Sequence, residues 1–398
     1  MISKMLSEIT SVITKGTTPT SVGCSFSKNG INYIKSESIT SSRTLDKSKY
    51  AFISEETHQK LKRSQIKEND ILFSMAGMFL GKTGIVQADD VPANTNQAVA
   101  IIRIVPEQAN YLYVYYYLNQ KNIVTWINSL SGQSAQPNIN LKQIGEIEIP
   151  LPDRIIQDTI VEMLSAIDSR IELNTAINEN LELQAQAYFV DLFITNADPN
   201  WRIGTISDLG NVVGGGTPSK KVEEYYTSDG IAWITPKDLS NDKSKFVAHG
   251  ETDITELGLA KSSATLMPNG TVLFSSRAPI GYIAIADGQV CTNQGFKSIV
   301  PFDNVGTAFV YYFLKENLSA IENVASGSTF KEVSGSTMKN FTAIIPDNDA
   351  LAEFQRFCSP LFEQQRALEY ENRHLSSIRD TLLPKLMNGE IDVSAVQI

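Results

Sequence analysis

The side chains best equipped for chemistry in this sequence come in pairs, about 200 residues apart. Thr95-Asn-Gln97 and Thr292-Asn-Gln294 carry amides whose paired donor and acceptor suit an adenine edge, or else the inside of a buried turn. Thr18 in Gly16-Thr-Thr-Pro19 and Thr217 in Gly216-Thr-Pro218 offer hydroxyls that can donate to phosphate. Arg277, after Phe274-Ser-Ser276, fits a base edge, a phosphate or a surface ion pair. Lys35 and Lys237 come after matching apolar runs, where a cation can touch a nucleic-acid backbone. Gln133, Ser134 and Gln136 in one polar stretch answer Ser328, Thr329 and Lys331 in another. The chemistry offered is hydrogen-bonded recognition rather than bond making.

Bond-making signatures do not accompany it. There is no Pro-Pro dipeptide, so the Asn/Asp-Pro-Pro-aromatic loop that grips a flipped adenine is missing. No glycine-rich cofactor loop joins a strand to a helix. Asp89-Asp90 and Glu223-Glu224 read as solvated turns rather than metal-binding carboxylates. Cys24, Cys291 and Cys358 form no CxxC pair, and His58, His249 and His374 are scattered, so no metal ligand is nominated. Ala76-Gly-Met-Phe-Leu-Gly-Lys-Thr83 fits a relaxed phosphate-loop pattern. The next residues, Gly84 to Pro92, read as strand and turn, not as the helix such a loop must open. No residue is nominated as catalytic. The longest apolar-aromatic run, Tyr111 to Leu118, is far short of a membrane span, and the start has no signal-peptide core. A soluble, cytoplasmic protein is expected.

The elements that must position these groups are themselves duplicated. Leu6-Ser-Glu-Ile9 matches Ile206-Ser-Asp-Leu209, and Asn29-Gly-Ile-Asn-Tyr-Ile34 matches Asp229-Gly-Ile-Ala-Trp-Ile234. Ile71-Leu-Phe-Ser74 matches Val272-Leu-Phe-Ser275, Tyr115-Tyr-Tyr-Leu118 matches Tyr311-Tyr-Phe-Leu314, and Ile149-Pro150 matches Ile345-Pro346. The matches keep their order with an offset of 195–201 residues, so a module is present twice. Each copy opens with about 150 residues of short β-rich runs, turns and helical stretches, an α+β pattern.

Each copy closes on a long helical stretch. Residues 155–194 hold neither Gly nor Pro, and Ile160, Leu164, Ile167, Ile171, Asn174, Asn178 and Leu181 keep a 4-3 spacing. About forty residues at ~1.5 Å each span ~60 Å. The second stripe includes Phe354, Phe357, Leu361, Gln364, Leu368, Leu375, Ile378 and Leu382, with a break or kink expected at Pro360. Two such helices bury their stripes most simply by packing antiparallel, which gives the duplication a pseudo-twofold axis. Asn174 and Asn178 either fix register in the seam or lie on a solvated flank.

Net charge is −10, unevenly spread. Residues 1–150 carry +3, 151–196 carry −6, 197–346 carry −3 and 347–398 carry −4. Any contact with DNA therefore falls to the globular parts.

With these features the sequence resembles a known family over its whole length, the specificity subunits of type I restriction–modification systems. The resemblance rests on Ile378-Arg-Asp-Thr-Leu-Leu-Pro-Lys-Leu-Met-Asn-Gly-Glu-Ile391, on Ile149-Pro-Leu-Pro152 leading into Glu162-Met-Leu-Ser-Ala-Ile-Asp168, and on Gly214-Gly-Gly-Thr-Pro218 with Val272-Leu-Phe-Ser-Ser-Arg-Ala-Pro-Ile-Gly281. It implies two α/β target recognition domains, 1–150 and 197–346, and two conserved helical spacers, 151–196 and 347–398. Each recognition domain would read one half of a bipartite DNA target. The helices, through their seam, would set the spacer and dock two modification (methyltransferase) subunits. Those subunits would use S-adenosylmethionine, and restriction subunits would use ATP and Mg; this chain would bind none of these cofactors. Two departures stand out. The first copy begins where the second has Trp201-Arg-Ile, so its opening strand reads as clipped, and Gly16-Thr-Thr-Pro19 lacks the preceding glycine pair. The alternative is a non-catalytic acidic scaffold or DNA mimic, which the overall charge favours but the positive first domain opposes.

Overall fold

The structure is a computed structural model, and it describes residues 2–40, 42–130, 138–327 and 331–394. The chain divides into two compact units, Met1–Ile171 with His374–Ile398, and Glu172–Arg373.

In the first unit, β1 (Ile2–Met5) pairs antiparallel with β10 (Glu148–Leu151). A four-stranded antiparallel sheet has the order β2-β9-β6-β7, made of Thr10–Lys15, Val99–Ile104, Ile71–Ser74 and Thr83–Ile85. A second sheet has the order β4-β3-β8-β5, made of Ala51–Ile53, Ile31–Ile34, Ala93–Thr95 and Gln65–Ile66, with β3 and β8 parallel. Strand alternation explains the layering. On β6 and β9, Ile71, Phe73, Ala100 and Ile102 enter one core, with Tyr113, Tyr116 and Leu118 of the helix Tyr111–Leu118. Leu72, Val99 and Ile101 point the other way, into a core with Ile34, Ile66 and Ala93 of the second sheet.

The second unit repeats the plan. β11 (Arg202–Thr205) pairs with β21 (Thr342–Ile345) as β1 does with β10. The larger sheet has the order β12-β20-β17-β18-β15: Gly210–Gly214, Lys297–Pro301, Val272–Ser276, Ile280–Ala286 and Phe246–Val247. The smaller has the order β13-β16-β14-β19: Tyr226–Thr227, Asp253–Ile254, Ile231–Ile234 and Val290–Thr292, with β14 and β19 parallel. Val272 and Phe274 face a core with Phe309, Tyr312 and Leu314, while Leu273 faces Ala284, Val290 and Phe296. The opening strand of the first copy is thus present with the same length and pairing as its counterpart, and is not clipped.

Two long helices, Arg154–Val190 and Asn348–Met387, contribute to both units. In the first unit Ile160, Val161 and Leu164 share a core with Leu383, Leu386 and Met387. In the second, Ala185 and Phe189 share one with Leu351, Phe354 and Cys358. There the pairing is antiparallel: Asn174 Nδ2 donates to Glu371 Oε2 at 3.0 Å and to Asn372 Oδ1 at 2.9 Å, and Gln365 Nε2 donates to the Asn178 carbonyl at 3.1 Å. Asn174 is fully buried and Leu181 and Leu368 nearly so. Ile167, Ile171, Asn178, Leu361, Leu375, Ile378 and Leu382 are half-buried. Two expectations need correction. The C-terminal helix stays helical through Pro360, so no break occurs there. Phe357 and Gln364 are exposed, and Cys358 and Gln365 take the buried positions.

A buried ionic cluster ties strands to helices in the second unit. Glu182 of the central helix accepts from Lys245, from Lys315 at 2.5 Å and from the Tyr312 hydroxyl at 2.9 Å. Lys245 Nζ also donates to Gln365 Oε1 at 2.7 Å and sits over the Phe362 ring at 4.1 Å. Burial alone would raise the Glu182 carboxyl, but Lys245 and Lys315 outweigh it and hold it below the ordinary carboxylate range.

Candidate nucleic-acid interface

In each unit several chain segments run out at one edge of the stacked sheets. In the first, β2 runs into Gly16, β3 into Lys35 and β6 into Met75, and β9 starts just after Thr95–Ala98. Main-chain bonds fasten them: Gly16 N–H to Val99 O at 3.2 Å, Thr17 N–H to Thr95 O at 3.0 Å, Met75 N–H to Ala98 O at 2.8 Å, and Ile139 N–H to Met75 O at 3.0 Å. β3 and β8 are parallel and end on the paired Ile34 and Thr95, so Lys35 and Asn96 leave side by side. Thr18, Lys35, Asn96 and Gln97 therefore share one polar edge.

The second unit builds the same edge. Gly216 N–H donates to Thr292 O at 2.8 Å, Asn293 N–H to Ile234 O at 3.0 Å, Ser276 N–H to Gly295 O at 2.7 Å, and Val333 N–H to Ser276 O at 3.0 Å. These bonds fasten the segments that carry Thr217, Arg277, Asn293 and Gln294, and Lys237 follows β14 three residues after Ile234. Lys331 is exposed and immediately precedes Glu332, which bridges to Arg277. Gln133, Ser134, Gln136, Ser328 and Thr329 lie outside the described residues.

The edge demands glycine at one place in the first copy and at two in the second, where a Cβ on Gly216 would lie 2.2 Å from the Ala264 nitrogen. A Cβ on Gly16 would lie 2.0 Å from the Thr95 carbonyl oxygen, and one on Gly215 would lie 1.9 Å from that of Asn293. Gly16 thus corresponds to Gly215 and Thr17 to Gly216. The aromatic partner agrees: Tyr33 Oη donates to Thr17 O at 3.0 Å, and Trp233 Nε1 to Gly216 O at 2.9 Å. The first copy lacks a glycine pair because only one glycine is sterically required there. Burial pushes the Tyr33 hydroxyl up to about 12, so it stays a donor at neutral pH.

Local bonds sort the candidates. Asn96 Oδ1 accepts from Ala98 N–H at 3.1 Å, and Asn293 Oδ1 from Gly295 N–H at 2.8 Å. Each carbonyl is committed to a turn, so these asparagines shape the edge first. Gln97 and Gln294 come next in the chain and are exposed. Thr18 Oγ1 donates to Gln97 Oε1 at 2.6 Å. Lys35 pairs with Glu37 at 3.4 Å and Lys237 with Glu251 at 2.6 Å, both at the surface. Such exposed pairs are weak and yield readily to a phosphate. Arg277 pairs with Glu332 at 3.6 Å, and Lys297 with the same carboxylate at 3.3 Å. Lys297 and Glu332 were not among the sequence candidates. The duplication highlights what the copies share, and these two positions differ between them.

The phosphate-loop look-alike folds as a hairpin. Gly77–Phe79 is a short turn, Met78 is exposed, and β7 returns antiparallel on β6. No helix comes after it to face a phosphate. Among the described residues no group of three His, Cys, Asp or Glu is arranged to hold a metal ion. No helix there is long and apolar enough to cross a membrane.

Two units of mixed strands and helices, each presenting the same polar edge, make a duplicated protein. Residues 3–183 and 199–369 match the type I restriction modification DNA specificity domain, so the chain belongs to that family. The MjaIX specificity subunit, a type I restriction enzyme component of Methanocaldococcus jannaschii, is 36% identical over 206 residues, 51% of this chain and 47% of that one. The match thus spans about half that relative's length. The HindI specificity subunit of Haemophilus influenzae is 25% identical over 337 residues, 66% of this chain and 72% of that one. The crystal structure of a type I restriction–modification S subunit from M. genitalium has the same fold, with a TM-score of 0.57 at 15% identity over 97% of this chain and 95% of that one.

Proposed function

We propose that this chain is the DNA sequence-recognition subunit of a type I restriction–modification complex and is itself non-catalytic. Residues 1–150 and 197–346 act as recognition domains, each reading one half of a bipartite target with its polar edge. Lys35 and Lys237 neutralise backbone phosphates, and Gln97, Gln294 and Arg277 address base edges. Thr18, Thr217, Asn96 and Asn293 hold the edge in shape. Residues 151–196 and 347–398 set the spacer and dock two modification subunits, which supply the S-adenosylmethionine chemistry. Restriction subunits supply the ATP- and Mg-dependent steps, and the assembly works in the cytoplasm. The observation that carries this reading is the same polar edge built twice in one chain, once in each specificity domain.

Salt dependence tests it against the acidic-scaffold alternative. For the complex with its modification subunits, the logarithm of duplex affinity should fall linearly with the logarithm of salt concentration, with a slope of about −0.9 per phosphate neutralised. Affinity that does not change with salt, or no duplex binding, would favour the scaffold.

A further inference from the structure

The two polar edges share a frame and differ sharply at one point. Ser276 N–H bonds Gly295 O, and Val333 N–H bonds Ser276 O. In the first unit the same places are taken by Met75 N–H to Ala98 O and Ile139 N–H to Met75 O. The bridge Arg277–Glu332 then falls on the bridge Ala76–Asn138. Counting on from the shared Asn-Gln turn, Lys297 falls on Ala100. One copy thus holds Arg, Glu and Lys where the other holds Ala, Asn and Ala.

The three charged groups form one unit. Glu332 Oε2 lies 3.6 Å from Arg277 Nη1, and Oε1 lies 3.3 Å from Lys297 Nζ. Each carboxylate oxygen faces a cation, so Glu332 orients rather than reads. Lys297 is mostly buried, and Arg277 and Glu332 are each about 36% exposed. A guanidinium has five N–H donors in a planar fork, so an Arg277 held through Nη1 keeps donors for a second partner. The acceptor pair that a planar fork matches best on a base is O6 and N7 of guanine.

We infer that Arg277 reads a guanine in the half-site of the second recognition domain, with Glu332, itself anchored by Lys297, as the positioning residue. The first domain, with Ala76 and Asn138 at these places, makes no such reading. This rests on the DNA-recognition function proposed above.

The test is methylation-motif sequencing of host DNA, with the cognate modification subunit co-expressed with wild-type chain, Arg277→Ala, Arg277→Lys or Glu332→Gln. Wild type should require guanine at a position where R277A loses about 10- to 100-fold of its discrimination, the range of one bidentate contact. R277K keeps the charge but not the fork and should lose most of the same discrimination. E332Q should relax that position partially. The other half-site should be unchanged in all three. The inference is overturned if every variant keeps the wild-type motif. It is also overturned if R277K matches wild type while R277A loses all methylation in complexes that still assemble, because Arg277 would then be a phosphate anchor. Should the wild-type chain direct no split motif at all, it is the underlying function that fails.

Discussion

At the scale of single residues, the polar edges depend on close backbone approaches at Gly16 in one domain and at Gly215 and Gly216 in the other. Gly215→Ala would drive a methyl group into the Asn293 carbonyl, 1.9 Å away. We expect a loss of at least about 1–3 kcal/mol, the usual cost of overpacking, read as a lowered unfolding midpoint. Lys35→Ala should act differently, leaving stability nearly unchanged. It should make the slope of log affinity against log salt shallower by about 0.9, the contribution of one phosphate contact, in a duplex-binding titration. An unchanged slope would remove Lys35 from the interface. The sequence displayed much of this edge: Gly16-Thr-Thr-Pro19 answers Gly216-Thr-Pro218, Thr-Asn-Gln recurs in both copies, and the structure puts them together. It hid Glu332 and Lys297 because repetition reveals the shared scaffold. Under the proposed function, two domains that read different half-sites must differ where bases are read.

At the scale of elements, the helices were legible in extent and less so in register. A stretch free of Gly and Pro gave the central helix, Arg154–Val190, almost to its ends. The helix does not break at Pro360, because packing competes with local propensity. A proline inside a helix costs ~3 kcal/mol. Full burial of side chains the size of Phe354 contributes about 1.5–3 kcal/mol each, and Phe354, Cys358 and Phe362 all pack into the same core. Burial therefore wins, and the buried stripe moves to Cys358 and Gln365. The ionic cluster at Glu182 had no sequence signal, because Lys245, Lys315 and Gln365 come from three separate elements. Lys245→Met removes one partner from a buried carboxylate and should cost about 3–5 kcal/mol in denaturant unfolding. The pH dependence has a definite sign. Glu182 has a folded pKa below the ordinary value, so its stabilisation is complete above that value and is lost as pH falls through the folded one. Glu369, raised by burial, gains stabilisation as pH falls and opposes it in part. Glu182→Gln should therefore flatten the acid limb of a stability–pH curve, and an unchanged acid limb would mean that Glu182 does not titrate on unfolding.

At the scale of the whole molecule, the charge balance fits an adaptor that works with partners. The first recognition domain carries +3 while the helical segments carry −6 and −4, so the proposed function assigns DNA contact to the domains rather than the helices. Adding one helical turn, about four residues or ~6 Å, to both long helices should lengthen the unread spacer by about one to two base pairs. Both half-sites should stay the same; a change in the bases read would refute the spacer role. The most direct measurement of the central claim is single-molecule sequencing of DNA from a methylation-free host carrying the cognate modification subunit with and without this chain. The account predicts N6-methyladenine at one split motif only when the chain is present. Methylation by the chain alone, or none although the proteins co-purify, would contradict it.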